Sequence, residues 1–516
     1  MLLPSCSPRT SLVVQRLHRA FHDKRWPGWQ VIIGIETHAQ IRSPEKLFSS
    51  SLTSSLGETP NIHVSLFDAA FPGTLPSLNQ NCVDLALRTA IALNSRIQTC
   101  SSFDRKHYFY SDLPAGYQIT QHYAPIAVEG SLRIPDRDTP IRIKQIQLEQ
   151  DTAKSTFDPR TRTSNIDLNR AGTGLLEIVT EPDLRSPEEA GAYVRALQAM
   201  LRAIGASDGN MEAGSLRCDV NVSVNPIGEP AGTRCEIKNL NSVKFMQAAI
   251  IHEVHRQRDL LSGDDAVVPQ ETRGFNQDTF ETFKMRSKED APDYRYMPDP
   301  NLGVLLITPE RIEETARTMP ELPWVTRIRL LERYKLSEQD VDILLNLDSD
   351  REDHTGAVAY FDRLCTEDRN PRIVFNWMIH ELLGRLNAAK LTFAANPLST
   401  IQLGELIDLV HSGAITGTSG KLLLREMLAD PTSSQTPTER ARSLSLLSTS
   451  SGELDVTSLC AVAIAALPAE ASAFRNGHKN VLNKIIGRVM KDSRGRADSK
   501  GVKECLIALL EQGGGQ

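Results

Sequence analysis

Apolar and polar positions alternate with a period of two along several short stretches of the first 300 residues. In 31-VIIGIETHAQI-41 the odd positions Val31, Ile33, Ile35, Thr37, Ala39 and Ile41 form one nearly apolar face, and the even positions place Glu36, His38 and Gln40 on the other. The habit recurs in 145-QIQLEQD-151, where Gln145, Gln147, Glu149 and Asp151 oppose Ile146 and Leu148. In 217-RCDVNVSVN-225, Arg217, Asp219, Asn221, Ser223 and Asn225 oppose Cys218, Val220, Val222 and Val224, and in 234-RCEIK-238, Arg234, Glu236 and Lys238 oppose Cys235 and Ile237. These read as four strands, each with a packed face and a polar face. A polar face can simply meet water. Short charged side chains of both signs, repeated on four strands, also suit an open cradle that binds a polyanion through a metal and cations. Carboxylate oxygens are hard ligands for Mg²⁺, Arg217 and Lys238 could neutralise phosphate oxygens, and His38 could act as a ligand or a proton carrier.

Helical periodicity interrupts this pattern twice. One helix is predicted over 187–205, with Ser186 as N-cap, Pro187 at the first helical position and Gly205 at the stop, and a second over about 242–261. Residues 29–307 are therefore expected to form an α+β cradle domain with a largely antiparallel sheet. From 308 to 396 the period is that of helices. In 337-SEQDVDILLNL-347, Ser337 and Asp340 make a capping-box pattern ahead of Val341, Leu344 and Leu345. Asn396-Pro397 marks a break, and 397–516 is expected to be a separate helical tail with a disordered loop in the Ser/Thr-rich stretch 431–452.

Composition narrows the reading. The 516 residues suggest about three domains. A formal net charge of -6 gives no global signature of nucleic-acid binding, so such a contact must be local. Basic residues dominate between Arg475 and Lys503, where Lys484, Arg488 and Lys491, followed by Arg494, share a helical face opposite Leu482, Ile485, Ile486 and Val489. The eight cysteines include no CxxC and read as buried thiols, and no apolar run approaches the length of a membrane span. There is no GxxxxGK[ST], and 172-GTGLLE-177 has Glu177 where a dinucleotide fingerprint wants glycine, so it reads as a turn before a strand. The fragments 252-HEVH-255 and 380-HELLG-384 lack zinc spacing, and no hydrolytic nucleophile is evident. Residues 1–28 carry Arg9, Arg16, Arg19, Lys24 and Arg25 with no acid before Asp23, the composition of a mitochondrial transit peptide, although a basic arm of a cytosolic protein would read similarly.

The runs 34-GIETHAQI-41, 72-PGTLPSLN-79, 103-FDRKHYFYSDLPAGYQITQ-121, 177-EIVTEPDLRSPEEA-190, 207-SDGNMEAGSLRCDVNVSV-224, 236-EIKNLNS-242 and 286-RSKEDAPDYRYMPDP-300 closely resemble the GatB/GatE family, the B subunits of Glu-tRNA(Gln) amidotransferases. The resemblance extends from Val31 to the C-terminus. It implies a cradle, a helical domain and a tail that grips tRNA, acting in the mitochondrial matrix. It also implies ATP-dependent phosphorylation of the glutamyl γ-carboxylate on tRNA(Gln), then amidation by ammonia from a partner amidase, with a small third subunit in the complex. Carried over, Glu36 and His38 match the Mg²⁺ motif, and Glu149 and Glu236 lie in motifs lining the same pocket. Lys106 and Tyr108, with Arg217 and Asp219, would contact nucleotide or the activated glutamyl group, and Asp151 and Lys238 fall in the same motifs. Two departures stand out. Positions that hold zinc cysteines in many relatives read Ser49, Ser51, Ser65 and Asp68, so no zinc is expected, and the second position of an acidic pair is Gln150. A tRNA-binding scaffold without activity and a free-standing Mg²⁺-dependent phosphotransferase remain the competing readings.

Fused to a reporter, residues 1–28 should carry it into mitochondria. A cytosolic reporter would refute the targeting assignment.

Overall fold

The computed structural model describes residues 23–512 except 56, 136, 264–266, 288–293, 349–355, 366–368, 448–455, 476–477 and 494–498. The expected transit segment up to residue 22 and Arg494 thus lie outside the described residues. Two compact units divide the chain, one ending at Pro323 and one beginning at Trp324.

The first unit is built on β1 (Trp29–Gln40), α1 (Gln80–Ala92), β2 (Arg96–Ile97), β3 (Cys100–Ser101), β4 (Asp104–His107), β5 (Tyr117–Thr120), β6 (Ala127–Leu132) and β7 (Ile141–Gln150). It continues through β8 (Lys154–Asp158), β9 (Thr163–Asp167), β10 (Gly174–Thr180), α2 (Pro187–Ala203), β11 (Leu216–Pro226), β12 (Cys235–Leu240) and α3 (Val243–Leu261). It closes with β13 (Glu271–Asn276), β14 (Glu281–Ser287), β15 (Arg295–Pro298), β16 (Leu305–Leu306) and α4 (Pro309–Arg317).

Nine strands form one sheet in the order β14-β13-β12-β11-β1-β10-β7-β6-β2. All its neighbours pair antiparallel except β12 and β13, so the α+β reading with a largely antiparallel sheet holds, with one parallel pair added. The apolar face of β1 is buried as its alternation requires: Val31, Ile33, Ile35, Thr37 and Ala39 are all at most 4% exposed. Tyr193 of α2 lies beside Thr37 and Cys218 of this face, and Val194, Leu197 and Leu201 of the same helix are buried. It starts as expected, Ser186 Oγ accepting from the Glu189 N–H at 3.1 Å, and the chain leaves it through Gly205 at φ +70°. Ser242 caps α3 in the same way. Helix α1, capped by Asn79, falls where only strands were expected. Its apolar positions, Cys82, Val83, Leu85, Ala86, Leu87 and Ala90, cover too wide an arc to show a simple amphipathic stripe.

The loop between β1 and α1 contains Ser49, Ser51, Ser65 and Asp68, and it is tied down around a buried lysine. Lys46, fully buried, donates from Nζ to His63 O (2.6 Å), Asp68 Oδ2 (3.2 Å) and Leu168 O (3.4 Å). Asp68 also accepts from Ser49 Oγ and from the Ser65 N–H, both at 3.1 Å. Burial pulls the Lys46 pKa down against the opposing pull of Asp68. Gly172, at φ +84°, is needed because a Cβ there would lie 2.2 Å from Asp68 Oδ1.

The second unit is helical throughout: α5 (Pro323–Tyr334), α6 (Glu338–Asp348), α7 (Ala357–Leu364), α8 (Pro371–Asn376), a π-helical stretch (Trp377–Leu383), α9 (Gly384–Ala388), α10 (Thr400–His411), α11 (Gly417–Ala429), α12 (Pro437–Ser443), α13 (Val456–Ala466), α14 (Pro468–Arg475), α15 (Leu482–Asp492) and α16 (Ser499–Gln512). The Ser337–Asp340 cap forms as expected, and Ser399 and Gln402 add a capping box at the start of α10. The division expected at 396/397 is not where the core divides. One apolar core runs from Leu330 to Leu446 and includes Phe393, Leu398 and Leu403, and a second runs from Cys460 to Leu510. Asn396-Pro397 turns the chain within the first core. The Ser/Thr-rich stretch is also partly ordered, since Thr436 and Glu439 form a capping box that starts α12. The 307/308 boundary likewise shifts, because α4 belongs to the first unit, with Arg311 donating to Asp84 of α1 at 2.6 Å.

Lys46→Met would leave the Asp68 carboxylate buried without its cation, and should cost about 3–5 kcal/mol in urea unfolding. Lys46→Met with Asp68→Leu should recover part of that loss. Equal losses in the single and double variants would show that the pair does not hold the loop.

Candidate functional site

Antiparallel register assembles the polar face in rows. Gln147 of β7, Glu177 of β10, His38 of β1 and Arg217 of β11 are successive Cα partners. The neighbouring row is Gln145, Val179, Glu36 and Asp219. Paired strands lie about 4.8 Å apart, so short side chains from adjacent strands touch. His38 Nε2 is accordingly 3.6 Å from Glu36 Oε1 and 4.0 Å from Glu177 Oε2, and the three donor atoms all lie within 4.8 Å of one another.

Glu177 is the member that the alternation pattern misses. The sequence reads it as the end of a turn, although a single carboxylate inside the apolar strand GLLEIVT is itself a signal, because a buried acid needs a partner. Its partner on one side is Gln147, which donates from Nε2 to Glu177 Oε2 at 2.5 Å and to Thr120 Oγ1 at 3.2 Å. Burial, with Glu149 and Glu36 close by, pushes the Glu177 carboxyl well above the usual range. Glu149 is equally buried, which works to raise its pKa, but Lys106 and His38 outweigh burial and hold it below the usual range. The Lys106 pKa is raised: burial opposes its charge, and Glu149 and Glu177 more than restore it. Lys106 Nζ sits 3.8 Å from Glu149 Oε2 and 5.1 Å from the centre of the Tyr294 ring. Tyr108, whose hydroxyl donates to Gln118, has its pKa raised by burial and stays a phenol at neutral pH.

The other expected residues divide into groups. Arg217 Nη2 donates to Asp151 Oδ2 at 2.8 Å, and Arg170 Nε lies 3.6 Å from the same oxygen. Lys238 Nζ joins Asp219 (2.6 Å) to Glu236 (3.2 Å), and burial works against its charge but these two carboxylates raise its pKa. Glu236 also accepts from Thr272 Oγ1 at 3.2 Å. It stands two strands away from β1, about 10 Å, and is not part of the Glu36–His38–Glu177 group. Gln150 points the other way, its Oε1 accepting from the Ile119 N–H at 3.4 Å, so its lost charge does not alter the group.

Glu36, Glu177, Glu149, Lys106, Glu236 and Lys238 line a cleft of ≈ 620 Å³, and a second recess of ≈ 490 Å³, lined by His38, Tyr108, Asp151, Arg217 and Asp219, shares Glu149 and Lys238 with it. A divalent metal fits the donor set. Two carboxylates and an imidazole converge, and Glu149 Oε2 is buried without a hydrogen-bond partner among the described residues, an acceptor that a cation would satisfy. In the second unit, Lys484, Arg488 and Lys491 are exposed on α15 while Leu482, Ile485 and Val489 are buried, and Arg488 Nε pairs with Asp492 at 2.8 Å.

Two family models match the chain: the GatB/GatE catalytic domain over residues 31–313 and the GatB domain over residues 359–510. The chain is 61% identical to the B subunit of the mitochondrial glutamyl-tRNA(Gln) amidotransferase of Laccaria bicolor, over 99% of this chain and 98% of that one. It is 43% identical to the corresponding mitochondrial protein of Mycosarcoma maydis, over 94% and 86%. It is 42% identical to the B subunit of the aspartyl/glutamyl-tRNA(Asn/Gln) amidotransferase of Rickettsia rickettsii, over 93% and 98%. A catalytic-domain match spanning the whole strand-built cleft, a second match over the helices, and this identity along nearly the full chain establish that it belongs to the GatB/GatE family, as a mitochondrial member.

Proposed function

We propose that this chain is the component of a mitochondrial glutamyl-tRNA(Gln) amidotransferase that activates and amidates the glutamyl group, and that its polar sheet face is the activation site. The observation that carries this reading is the Glu36–His38–Glu177 group, with a buried Glu149 oxygen beside it that accepts no hydrogen bond among the described residues, where a cleft that bears Lys106, Lys238 and Arg234 meets the recess that holds His38. Glu36, His38, Glu177 and Glu149 would hold Mg²⁺, which when bound neutralises triphosphate charge. A glutamyl carboxylate oxygen attacks the γ-phosphorus of ATP, forming an acyl phosphate and releasing ADP. Ammonia then attacks the acyl carbon, the C–O bond to phosphate breaks, and the proton lost by nitrogen leaves with the phosphate. Lys106, kept cationic between Glu149 and Glu177, stands ready for an oxygen of the acyl phosphate, with the neutral Tyr108 phenol nearby, its hydroxyl donating to Gln118. Arg217 and Lys238, each tied to carboxylates, keep fixed orientations for the same charge.

The sequence offers no nucleophile for releasing ammonia, so a partner amidase supplies it, and a small third subunit completes the complex. A scaffold without activity would have no use for buried like charges that cost stability. A free-standing phosphotransferase would have no use for the exposed basic face of α15.

In the reconstituted complex, Glu36→Gln, His38→Ala and Glu177→Gln should each lower Glu-tRNA-dependent ATP cleavage by about a hundredfold or more while tRNA binding and basal glutaminase activity persist. A variant that folds and cleaves ATP at the wild-type rate would place the site elsewhere.

The tail reading is tested separately. Changing Lys484, Arg488 and Lys491 to Glu should weaken tRNA binding and flatten its salt dependence, with ATP affinity unchanged. Unaltered tRNA affinity would remove α15 from the tRNA-binding surface.

A further inference from the structure

Most cations of the cleft and its adjoining recess are already matched: Lys106 by Glu149, Arg217 by Asp151, and Lys238 by Asp219 and Glu236. Two arginines on the outer wall are different. Arg234 and Arg286 both line the cleft, neither is paired with a carboxylate among the described residues, and Arg286 Nε is buried without a hydrogen-bond partner among them. The sheet register explains how Arg286 comes to face the site. Gly34 of β1, Asn221 of β11, Glu236 of β12, Thr272 of β13 and Arg286 of β14 are successive Cα partners, one row across five strands. At its head, Gly34 adds no side chain, and Glu36 lies two residues farther along β1 on the same face. Glu236 is already bound to Lys238 and Thr272, so its charge does not oppose an anion arriving at Arg286.

The geometry points to Arg286, supported by Arg234, as the contact for a phosphodiester at the acceptor end of the charged tRNA. This rests on the activation reading above. Spacing decides against the phosphates of ATP. Arg286 sits four strands from β1, about 19 Å along the row, whereas the α- and β-phosphates are separated from the reacting γ-phosphorus only by bridging oxygens and must stay near Glu36. In the aminoacyl end, by contrast, the glutamyl side chain, the ester and the ribose all separate the reacting carboxylate from the nearest phosphate. An arginine with an unfilled Nε suits a forked phosphate contact, and the row then acts as a ruler that delivers the γ-carboxylate to the cluster.

The test uses the reconstituted complex with Glu-tRNA, and two small esters as probes: glutamyl-adenosine, and glutamyl-adenosine carrying a 5′-phosphate. Arg286→Ala should raise the KM for Glu-tRNA about tenfold or more and lower the salt slope of its binding by about 1, leaving the KM for ATP unchanged. The 5′-phosphorylated ester should lose efficiency in the variant, and the ester without phosphate should react equally in variant and wild type. Arg286→Lys, which keeps the charge but loses the fork, should restore the salt slope more than the KM. Loss of ATP affinity in Arg286→Ala would overturn the assignment, as would an equal loss on both esters. Lys144→Ala, a cation on the opposite wall of the cleft, provides a comparison: the same tRNA defect there would mean a diffuse field in place of a phosphate contact and would also overturn it. Failure of the wild-type complex to cleave ATP with any glutamyl ester or Glu-tRNA would instead sink the activation reading itself.

Discussion

The register of β1 against β10 and β11 is the constraint on which the site depends. Val31, Ile33 and Ile35 are buried in the core, and a slip of one residue would turn Glu36 and His38 into the core and Ile35 and Thr37 out to the cleft. Burial of the apolar face therefore sets the polar face to within a residue. The donor atoms of Glu36, His38 and Glu177 come together because the hydrophobic effect on the other side of the sheet permits one register only.

That arrangement concentrates like charge. Glu149 and Glu177 are both buried beside Glu36, and their mutual repulsion separates them in acidity: Lys106 and His38 hold Glu149 ionised, while burial and its two neighbours keep Glu177 protonated more readily. Farther out, Asp151 pairs with Arg217 and Arg170, and Asp219 and Glu236 share Lys238. The inner group is thus shorter of positive charge than the outer one. A cationic ligand is drawn to the first, and an anionic one to the cations left unmatched at the wall.

Elsewhere the same physics stabilises without chemistry. Lys46 and Asp68, buried together among Ser49, Ser65 and two carbonyls, close a long loop by an ion pair with its hydrogen bonds filled. In the helical unit, apolar contacts carry the chain straight through Asn396-Pro397, because Phe393 and Leu398 on either side enter one core.

Period-two alternation over 31–41, 145–151, 217–225 and 234–238 determined by itself that these segments are strands with one charged face, and Ser186 and Ser337 marked helix starts, since alternation and capping are local properties of the chain. The same alternation placed Glu36, His38, Glu149, Asp151, Arg217, Asp219, Glu236 and Lys238 on the polar side. It could not say which of them meet. That depends on strand order, and only the fold put β10 between β1 and β7, bringing in Glu177 from a segment that reads as a turn before a strand and leaving Glu236 two strands away. The tertiary structure likewise decided the row from Gly34 to Arg286, whose members are scattered along the sequence from β1 to β14. Pairing partners are long-range choices made by the packing of the whole sheet, and no local pattern encodes them.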